Sequence, residues 1–498
     1  MAEGGSHNQP EAASATVRFV LDGQAVSVAN LPATTTVLDY LRNIAHRTGT
    51  KEGCAEGDCG ACTVVLGELK SGEQQIHYRA INSCIRLLPT IDGQELVTVE
   101  SLAADGNLHP VQQAMVDYHA SQCGFCTPGF VMSLFALYLN EQNPGREQVL
   151  ETLSGNLCRC TGYRPIIEAG CQMSAYPKPA HWSRDEVSSV ARCEALRALQ
   201  RHEALRLPDF LAPRSLAELA AALEANPASL VLAGGTDVGL WVTKQLRELP
   251  PIIYVGEVAE LKVARSDAEG LSIGAAVPLT QAWALILNAY PELSELALRF
   301  ASPPVQNSGT LGGNVANGSP IGDSMPALIA LGAQVELQRG AVVRRLALEQ
   351  LYLGYQRKDM VPGEFLVRVL IPPPSGGQWL ASYKLSKRFD QDISAVCAGF
   401  AVQVENGRVV AARIAYGGMA AIPSRAAAAE QALLGQSWNE ATIVTAMAAL
   451  GRDFKPLTDM RASSAYRLQS AMHLLRRFFL EHSDATQASR VQQAAVAL

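Results

Sequence analysis

A multidomain α+β chain is the fold class that the sequence predicts, and three observations carry it. The 498 residues exceed what one hydrophobic core sustains and suit three or four domains at ~150 residues each. Eight of the eleven cysteines crowd between Cys54 and Cys160, in two groups of four. Beyond them, glycine loops follow apolar strands and alternate with helices. We expect a disordered tail at 1–15, a β-grasp-like unit over 16–89, a helical bundle over 90–165 and a connector over 166–205. An α+β domain over 206–380 and a second α+β domain over 381–498 complete the chain.

Composition narrows the function classes. The chain is 48% hydrophobic and 18% charged with a net charge of −6, and it has no long basic run, so nucleic acid is not an expected partner. The opening MAEGGSHNQPEAASA has neither a basic n-region nor an apolar h-region, so no secretory signal is expected. No uninterrupted apolar run reaches ~18 residues, so no membrane span is expected either. A cytoplasmic protein keeps its cysteines reduced, which argues against a disulfide framework.

The elements follow in order. TVRFVLDGQAVSVAN alternates apolar and polar residues on both sides of Asp22-Gly23, the signature of a hairpin. TTTVLDYLRNIA predicts a short amphipathic helix with Leu38, Leu41 and Ile44 on one face. KEGCAEGDCGACTVVLGEL then predicts a glycine-rich loop running into a strand. HPVQQAMVDYHA, PGFVMSLFALYLNEQ and GREQVLETLSGNLC predict three helices, the second started by Thr127-Pro128. The connector reads as partly helical near CEALRALQRHEALR. Further on, PIIYVG and GLSIGAAV predict strands, and TQAWALILNAYPELSELALRF predicts helix. The segment AVCAGFAVQVENGRVVAARIAYGGM predicts strands before a helix-rich end.

Cys54, Cys59 and Cys62 are spaced C-x4-C-x2-C, with Cys84 further on. That is the plant-type 2Fe–2S spacing. Gly53, Gly57 and Gly60 let the loop wrap closely and aim N–H groups at sulfur. Zinc sites commonly pair two C-x2-C knuckles, which this group lacks. The second group is Cys123-x2-Cys126 and Cys158-x-Cys160. A C-x2-C at a helix start puts two thiolates where the helix dipole favours their charge. Taken alone this quartet fits zinc as well; beside a ferredoxin-like unit it fits a second 2Fe–2S cluster. Cys171, Cys193 and Cys397 stand apart and read as small core residues.

Two glycine loops follow. LVLAGGTDVGLW sets Gly234, Gly235 and Thr236 after an apolar strand, where converging N–H groups suit an anionic diphosphate. It lacks G-x-G-x-x-G, so it is no Rossmann fingerprint. SGTLGGNVANGSPIGD combines five glycines with Asn314, Asn317, Ser319 and Asp323.

Together GCAEGDCGACTV…NSC, QCGFCTPGFVMS and GNLCRCTGYRPI resemble the iron–sulfur portion of the molybdenum hydroxylase family, which includes xanthine dehydrogenase and aldehyde oxidase. The resemblance runs from about residue 16 to about residue 480. It implies a β-grasp 2Fe–2S ferredoxin domain, a helical 2Fe–2S domain, an FAD-binding domain and a C-terminal flavoprotein domain. It implies one 2Fe–2S cluster on Cys54, Cys59, Cys62 and Cys84. A second would sit on Cys123, Cys126, Cys158 and Cys160, nearest the molybdenum cofactor. By the same resemblance, FAD contacts fall to Val231, Leu232, Ala233, Gly234, Gly235, Thr236, Asp237 and Val238. Phe300, Gly309, Thr310, Gly312, Gly313, Asn314, Asp323, Leu366 and Lys384 join them. YKLSKRFDQDISA resembles a mobile loop of the family that influences access of NAD+ to the flavin.

The large molybdopterin domains of single-chain relatives have no counterpart here. The resemblance therefore implies a separate large subunit that carries molybdopterin and the substrate, in a heterotetramer of two small and two large chains. Fusion of iron–sulfur and flavin parts implies the two-subunit bacterial xanthine dehydrogenases, which convert hypoxanthine and xanthine to urate and reduce NAD+. The alternatives are another molybdenum hydroxylase, acting on aldehydes or N-heterocycles, and a freestanding ferredoxin–flavin reductase. No catalytic base or nucleophile is expected in this chain.

Overall fold

The structure is a computed structural model that describes residues 15–70, 72–179, 182–183 and 189–483. The tail expected at 1–15 lies outside these apart from residue 15. The chain forms two compact units. The first runs to Leu261 and also takes in Pro278–Thr280 and Ser302–Thr310. The second comprises Lys262–Val277, Gln281–Ala301 and the chain from Leu311 onward. The span 206–380 thus contributes to both.

In the first unit, β1 (Val17–Leu21) and β2 (Gln24–Val28) form the expected hairpin. Its turn residues Asp22 (φ 50°) and Gly23 (φ 82°) both adopt the left-handed region that a two-residue turn of this twist requires. With β3 (Thr63–Leu69), β4 (Ile76–Asn82) and β5 (Glu95–Val97) they make a sheet ordered β2-β1-β5-β3-β4. β1 and β5 run parallel and the other pairs antiparallel, which is the β-grasp arrangement.

The sheet is buried on both faces, so its strands alternate between two cores. Phe19, Val64 and Leu66 join Val37, Tyr40 and Leu41. Val20, Val65 and Tyr78 turn the other way, onto the helical region. The helix expected after the hairpin is an α turn, Val37–Asp39, capped by Thr36, that widens into a π turn at Tyr40–Ile44. The π turn rotates Ile44 off the apolar face, leaving it 46% exposed where burial was expected.

The helical region contains α1 (Pro110–Asp117), α2 (Thr127–Asn140), α3 (Arg146–Leu153) and α4 (Arg164–Gln172). α4 straddles the boundary expected at 165. Its Ile166, Ile167 and Ala169 share one core with Phe130, Leu134 and Val149, so it packs as part of the bundle. The connector also holds a helix at Val190–Leu199, whose Cys193 and Leu196 enter the same core.

β6 (Leu205–Leu207), β7 (Phe210–Ala212), β8 (Leu230–Leu232) and β9 (Ile252–Tyr254) form a second sheet, ordered β6-β7-β9-β8. Its Phe210, Leu232 and Ile252 pack with Ala33 and Leu87 of the ferredoxin-like part.

The second unit contains an antiparallel sheet of β10 (Ala264–Asp267), β11 (Gly270–Gly274), β12 (Gln334–Arg339), β13 (Val342–Ala347) and β16 (Phe365–Ile371), ordered β10-β11-β16-β12-β13. A short pair, β14 (Tyr352–Gly354) and β15 (Arg357–Lys358), lies between β13 and β16 in sequence. The helix expected over 280–300 is interrupted at Pro291, giving Leu279–Ala289 and Ser294–Phe300. A four-stranded meander follows, β17 (Gln378–Leu385), β18 (Val396–Glu405), β19 (Arg408–Gly417) and β20 (Ser424–Arg425). Helices Ala427–Leu433, Glu440–Asp453 and Ser464–Ser483 share its core through Leu433, Ile443, Leu475 and Phe478.

Candidate redox centres

The loop before β3 brings the first four cysteines together. Cys62 and Cys84 are buried, and Cys54 and Cys59 half-buried. Cys62 Sγ lies 3.2 Å from Cys84 Sγ. The N–H groups of Glu56 and Cys59 both donate to Cys54 Sγ at 3.4 Å. The Cys59 and Cys84 thiols, with those N–H groups, hold Cys54 well below the ordinary thiol value against the effect of burial. The Cys84 thiol likewise lowers Cys62, whereas Cys59 and Cys84 are raised, first by their thiolate partners. Among the described residues, no three His, Cys, Asp or Glu side chains are set as ligands of one metal ion. Cys54 meets both the Cys59 and the Cys84 thiol, and Cys84 also meets Cys62, so the four sulfurs converge as a donor set that suits a 2Fe–2S cluster.

The second quartet forms where α2 begins. Cys126 is the N-cap of α2, and Cys123 precedes it across Gly124. Cys158 and Cys160 come from the turn between α3 and α4. Cys123 pairs with Cys160 and Cys126 with Cys158. Burial, then the hydrogen bond with Cys158 and its charge, pushes Cys126 up to about 12. Burial opposes ionisation of Cys158, yet the Thr161 hydroxyl and N–H hold its thiol below the ordinary value. All eight predicted ligands thus fall into the two expected sets, and both sets fit 2Fe–2S clusters by donor chemistry.

The two cysteine loops touch. Leu157 N–H donates to the Cys59 carbonyl at 2.9 Å. Asn156 Nδ2 donates to the Gly60 carbonyl at 3.1 Å and its Oδ1 accepts from Ser133 Oγ at 2.6 Å. Gly60 adopts φ 70°, and a Cβ there would lie 2.3 Å from the Gly155 carbonyl oxygen. No other residue permits that approach.

The first glycine loop adjoins the first quartet. Leu240, in helix Val238–Thr243, packs against Cys62, Cys84 and Ile85. A Cβ on Gly239 would lie 2.6 Å from the Ile85 carbonyl oxygen. Thr243 Oγ1 donates to the Ala55 carbonyl at 2.6 Å and Lys244 Nζ to the Cys54 carbonyl at 3.1 Å. Of the expected flavin residues, Val231 and Leu232 lie on β8, Ala233 to Asp237 form the loop, and Val238 starts the helix. Gly309 reaches this loop and Thr310 follows it: a Cβ on Gly234 would lie 2.0 Å from the Ser308 carbonyl oxygen and 2.6 Å from the Gly309 Cα. The two backbones thus meet in direct contact at Gly234, an approach that only glycine permits.

The remaining expected flavin residues lie in the second unit. Gly312, Gly313 and Asn314 sit in helix Leu311–Asn317. Phe300 packs on Trp283 with ring centroids 5.5 Å apart. Leu366 is buried on β16 opposite Leu337. Lys384 Nζ donates to Asp323 Oδ2 at 2.7 Å and to the Arg299 carbonyl at 2.8 Å, and Ser394 Oγ donates to Asp323 Oδ1 at 2.5 Å. Lys384 and Asp323 are thus partners in a buried ion pair.

Sequence reasoning missed Arg299, whose guanidinium donates to the Lys384 and Phe389 carbonyls and to Ser386 Oγ and stacks over the Phe389 ring at 4.7 Å. It also missed Asn156, Thr161 and Tyr163, which lie within or beside a motif read only for its cysteines. No helix among the described residues is long and apolar enough to cross a membrane.

Four domain families match the chain in order. A 2Fe-2S iron-sulfur cluster binding domain matches residues 19–87 and a 2Fe-2S binding domain residues 98–171. The FAD binding domain in molybdopterin dehydrogenase matches 203–374, and the CO dehydrogenase flavoprotein C-terminal domain matches 381–482. Xanthine dehydrogenase of Emericella nidulans is 30% identical over 93% of this chain and 38% of its own length. That of Drosophila subobscura is 33% identical over 83% and 35%. The chain therefore spans little more than a third of these relatives. Two solved structures are also similar. Reconstituted CO dehydrogenase from Oligotropha carboxidovorans superposes with a TM-score of 0.50 at 28% identity, covering 53% of this chain and 94% of that one. Quinoline 2-oxidoreductase from Pseudomonas putida 86 gives 0.50 and 28%, covering 56% and 97%.

Proposed function

Because the chain belongs to the molybdenum hydroxylase family, as its iron–sulfur and FAD portion, we propose that it is the electron-transfer subunit of a xanthine dehydrogenase. In this reading a large partner subunit carries molybdopterin and oxidises hypoxanthine and xanthine to urate. The electrons leave through this chain to NAD+. Cytoplasmic residence and a pairing of two small with two large chains belong to the same reading.

When bound, the clusters supply one-electron chemistry and the flavin exchanges single electrons for a hydride. The chain's own residues position these groups. Cys123, Cys126, Cys158 and Cys160 hold one cluster, and Cys54, Cys59, Cys62 and Cys84 the other. The N–H groups of Glu56 and Cys59, aimed at Cys54 Sγ, stabilise charge on that ligand. Gly234, Gly235, Thr236, Gly309 and Thr310 offer backbone to the flavin diphosphate. Flavin contacts at Phe300, Gly312, Gly313, Asn314, Asp323, Leu366 and Lys384 are part of the proposal. No side chain here is asked to act as base or nucleophile.

One observation favours xanthine over other substrates of the family. A xanthine dehydrogenase aligns with 93% of this chain as one polypeptide. The CO dehydrogenase and quinoline oxidoreductase chains cover 53% and 56% of it. That second pair keeps another molybdenum hydroxylase as the alternative reading. The test is to purify the chain with whatever large subunit accompanies it, then measure iron, molybdenum, flavin and xanthine-dependent NAD+ reduction together. A loaded complex that oxidises an aldehyde or N-heterocycle but not xanthine selects the alternative. A preparation with zinc in place of iron refutes both.

A further inference from the structure

Past Cys160 the chain turns back on Cys158. Gly162 and Tyr163 both have φ 68°, and for tyrosine this left-handed conformation carries a strain that surrounding contacts must hold in place. Three hydrogen bonds close a ring there. Cys158 N–H donates to Tyr163 Oη at 3.0 Å, and Tyr163 N–H donates to Thr161 Oγ1 at 3.2 Å. Thr161 Oγ1 in turn lies 3.1 Å from Cys158 Sγ. Thr161 N–H reaches the same sulfur at 3.5 Å.

The direction of the last contact follows from proton accounting. The Thr161 oxygen already accepts the Tyr163 N–H, and a thiolate ligand has no proton to give. The hydroxyl hydrogen therefore points at sulfur. Reduction adds negative charge that spreads onto the cysteine sulfurs, and a donor fixed on one of them stabilises the reduced form more than the oxidised form.

We propose that Thr161 is a positioning residue that raises the reduction potential of the cluster held by Cys123, Cys126, Cys158 and Cys160, through its O–H···S bond to Cys158. The proposal rests on the cluster reading of that quartet. Its consequence is a cluster that readily takes up electrons arriving from outside this chain. Tyr163 holds the hydroxyl in register.

The test is a redox titration of the holoenzyme followed by electron paramagnetic resonance, reading the signal that Cys158→Ser abolishes. In Thr161→Val that signal should titrate lower. At fixed solution potential its reduced-to-oxidised ratio should fall about tenfold, a shift of about 59 mV for one electron. The other cluster and the flavin should not move, and Thr161→Ser should restore the parent value. An unchanged potential in Thr161→Val, or one equally low in Thr161→Ser, overturns the proposal. Should valine prevent cluster assembly, Thr161→Ala carries the same test with the same two outcomes. A parent holoenzyme showing one cluster signal in place of two would overturn the cluster reading itself.

Discussion

The backbone N–H of Leu157 donates to the carbonyl oxygen of Cys59 at 2.9 Å, so one hydrogen bond links the residue before Cys158 to a cysteine of the other quartet. Electron transfer between centres weakens steeply with separation and follows bonded and hydrogen-bonded contacts. A link that starts on one ligand residue and ends on the neighbour of another is therefore a short covalent-and-hydrogen-bonded route between the two sites. On the far side of the first quartet, Ile85, which follows Cys84, meets Gly239 just beyond the glycine loop. The order second quartet, first quartet, glycine loop is thus built into contacts within one unit.

Asn156 fastens the first of these contacts, and its loss should be costly. It is 2% exposed and bridges Ser133 Oγ to the Gly60 carbonyl. Asn156→Ala strands the buried Ser133 hydroxyl, while the Gly60 carbonyl keeps the Thr63 N–H and hydroxyl; one such stranded group costs about 1–3 kcal/mol. We expect a lower denaturation midpoint and a weaker magnetic interaction between the reduced clusters at low temperature. Parent-like stability and coupling would mean that Asn156 does not hold the loops together.

Cys158→Ser should remove one of two cluster signals and leave the other, with FAD still bound. The two quartets draw on separate loops and share no ligand, so damage to one spares the other's donors. Iron analysis should show about half the parent content beside unchanged flavin absorbance. Survival of both signals at full intensity would contradict the ligand assignment.

Gly234→Ala tests the proposed flavin loop. Its Cβ would lie 2.0 Å from the Ser308 carbonyl oxygen, a contact only backbone movement can relieve. Overpacking of this kind costs about 1–3 kcal/mol, and here it forces apart the two backbones that carry the proposed flavin contacts. Flavin content should fall severalfold while both cluster signals persist. Full flavin occupancy in this variant would dissociate the loop from FAD.

The cysteine chemistry was legible in the sequence because ligand spacing is local: C-x4-C-x2-C and C-x2-C describe single loops. Cys84 and the C-x-C pair needed only the recognition that a distant element closes each cage. The hairpin at Asp22-Gly23 was legible for the same reason, its turn demanding left-handed residues. What the sequence hid depends on packing between distant segments. Ile44 leaves the apolar face because the helix widens into a π turn, which no periodicity signals. α4 belongs to the bundle through Ile166 and Ile167, yet its polar, proline-bearing start reads as connector. Lys384 and Asp323 stand 61 positions apart and their pairing shows only in three dimensions.

Acid should weaken the second unit through Asp459. Burial pushes its carboxyl up, but the N–H groups of Ala462 and Arg461 and the Arg467 guanidinium hold it at about 2. An unfolded aspartate titrates near ~3.9. The folded state thus binds this proton less readily, and the stabilisation is complete above about pH 4 and fades as pH falls toward 2. Asp459→Asn should be less stable at neutral pH, with a flatter decline in that window. A variant whose acid limb is as steep as the parent's would assign the decline to other groups.

The Lys384–Asp323 pair gives the largest expected effect. Asp323 is 5% exposed and Lys384 4%, so neither charge has water to fall back on. Lys384→Met leaves the carboxylate with only the neutral Ser394 hydroxyl and Cys397 thiol, and stranding one member of a buried pair costs about 3–5 kcal/mol. Replacing both, as Lys384→Met with Asp323→Leu, removes the stranded charge and should recover most of that loss. Denaturant titrations of the parent, both single variants and the double variant measure the coupling directly. If the single and double variants are equally unstable, the contribution of Lys384 lies in its contact with the Arg299 carbonyl and its packing, and the ion pair carries little of it.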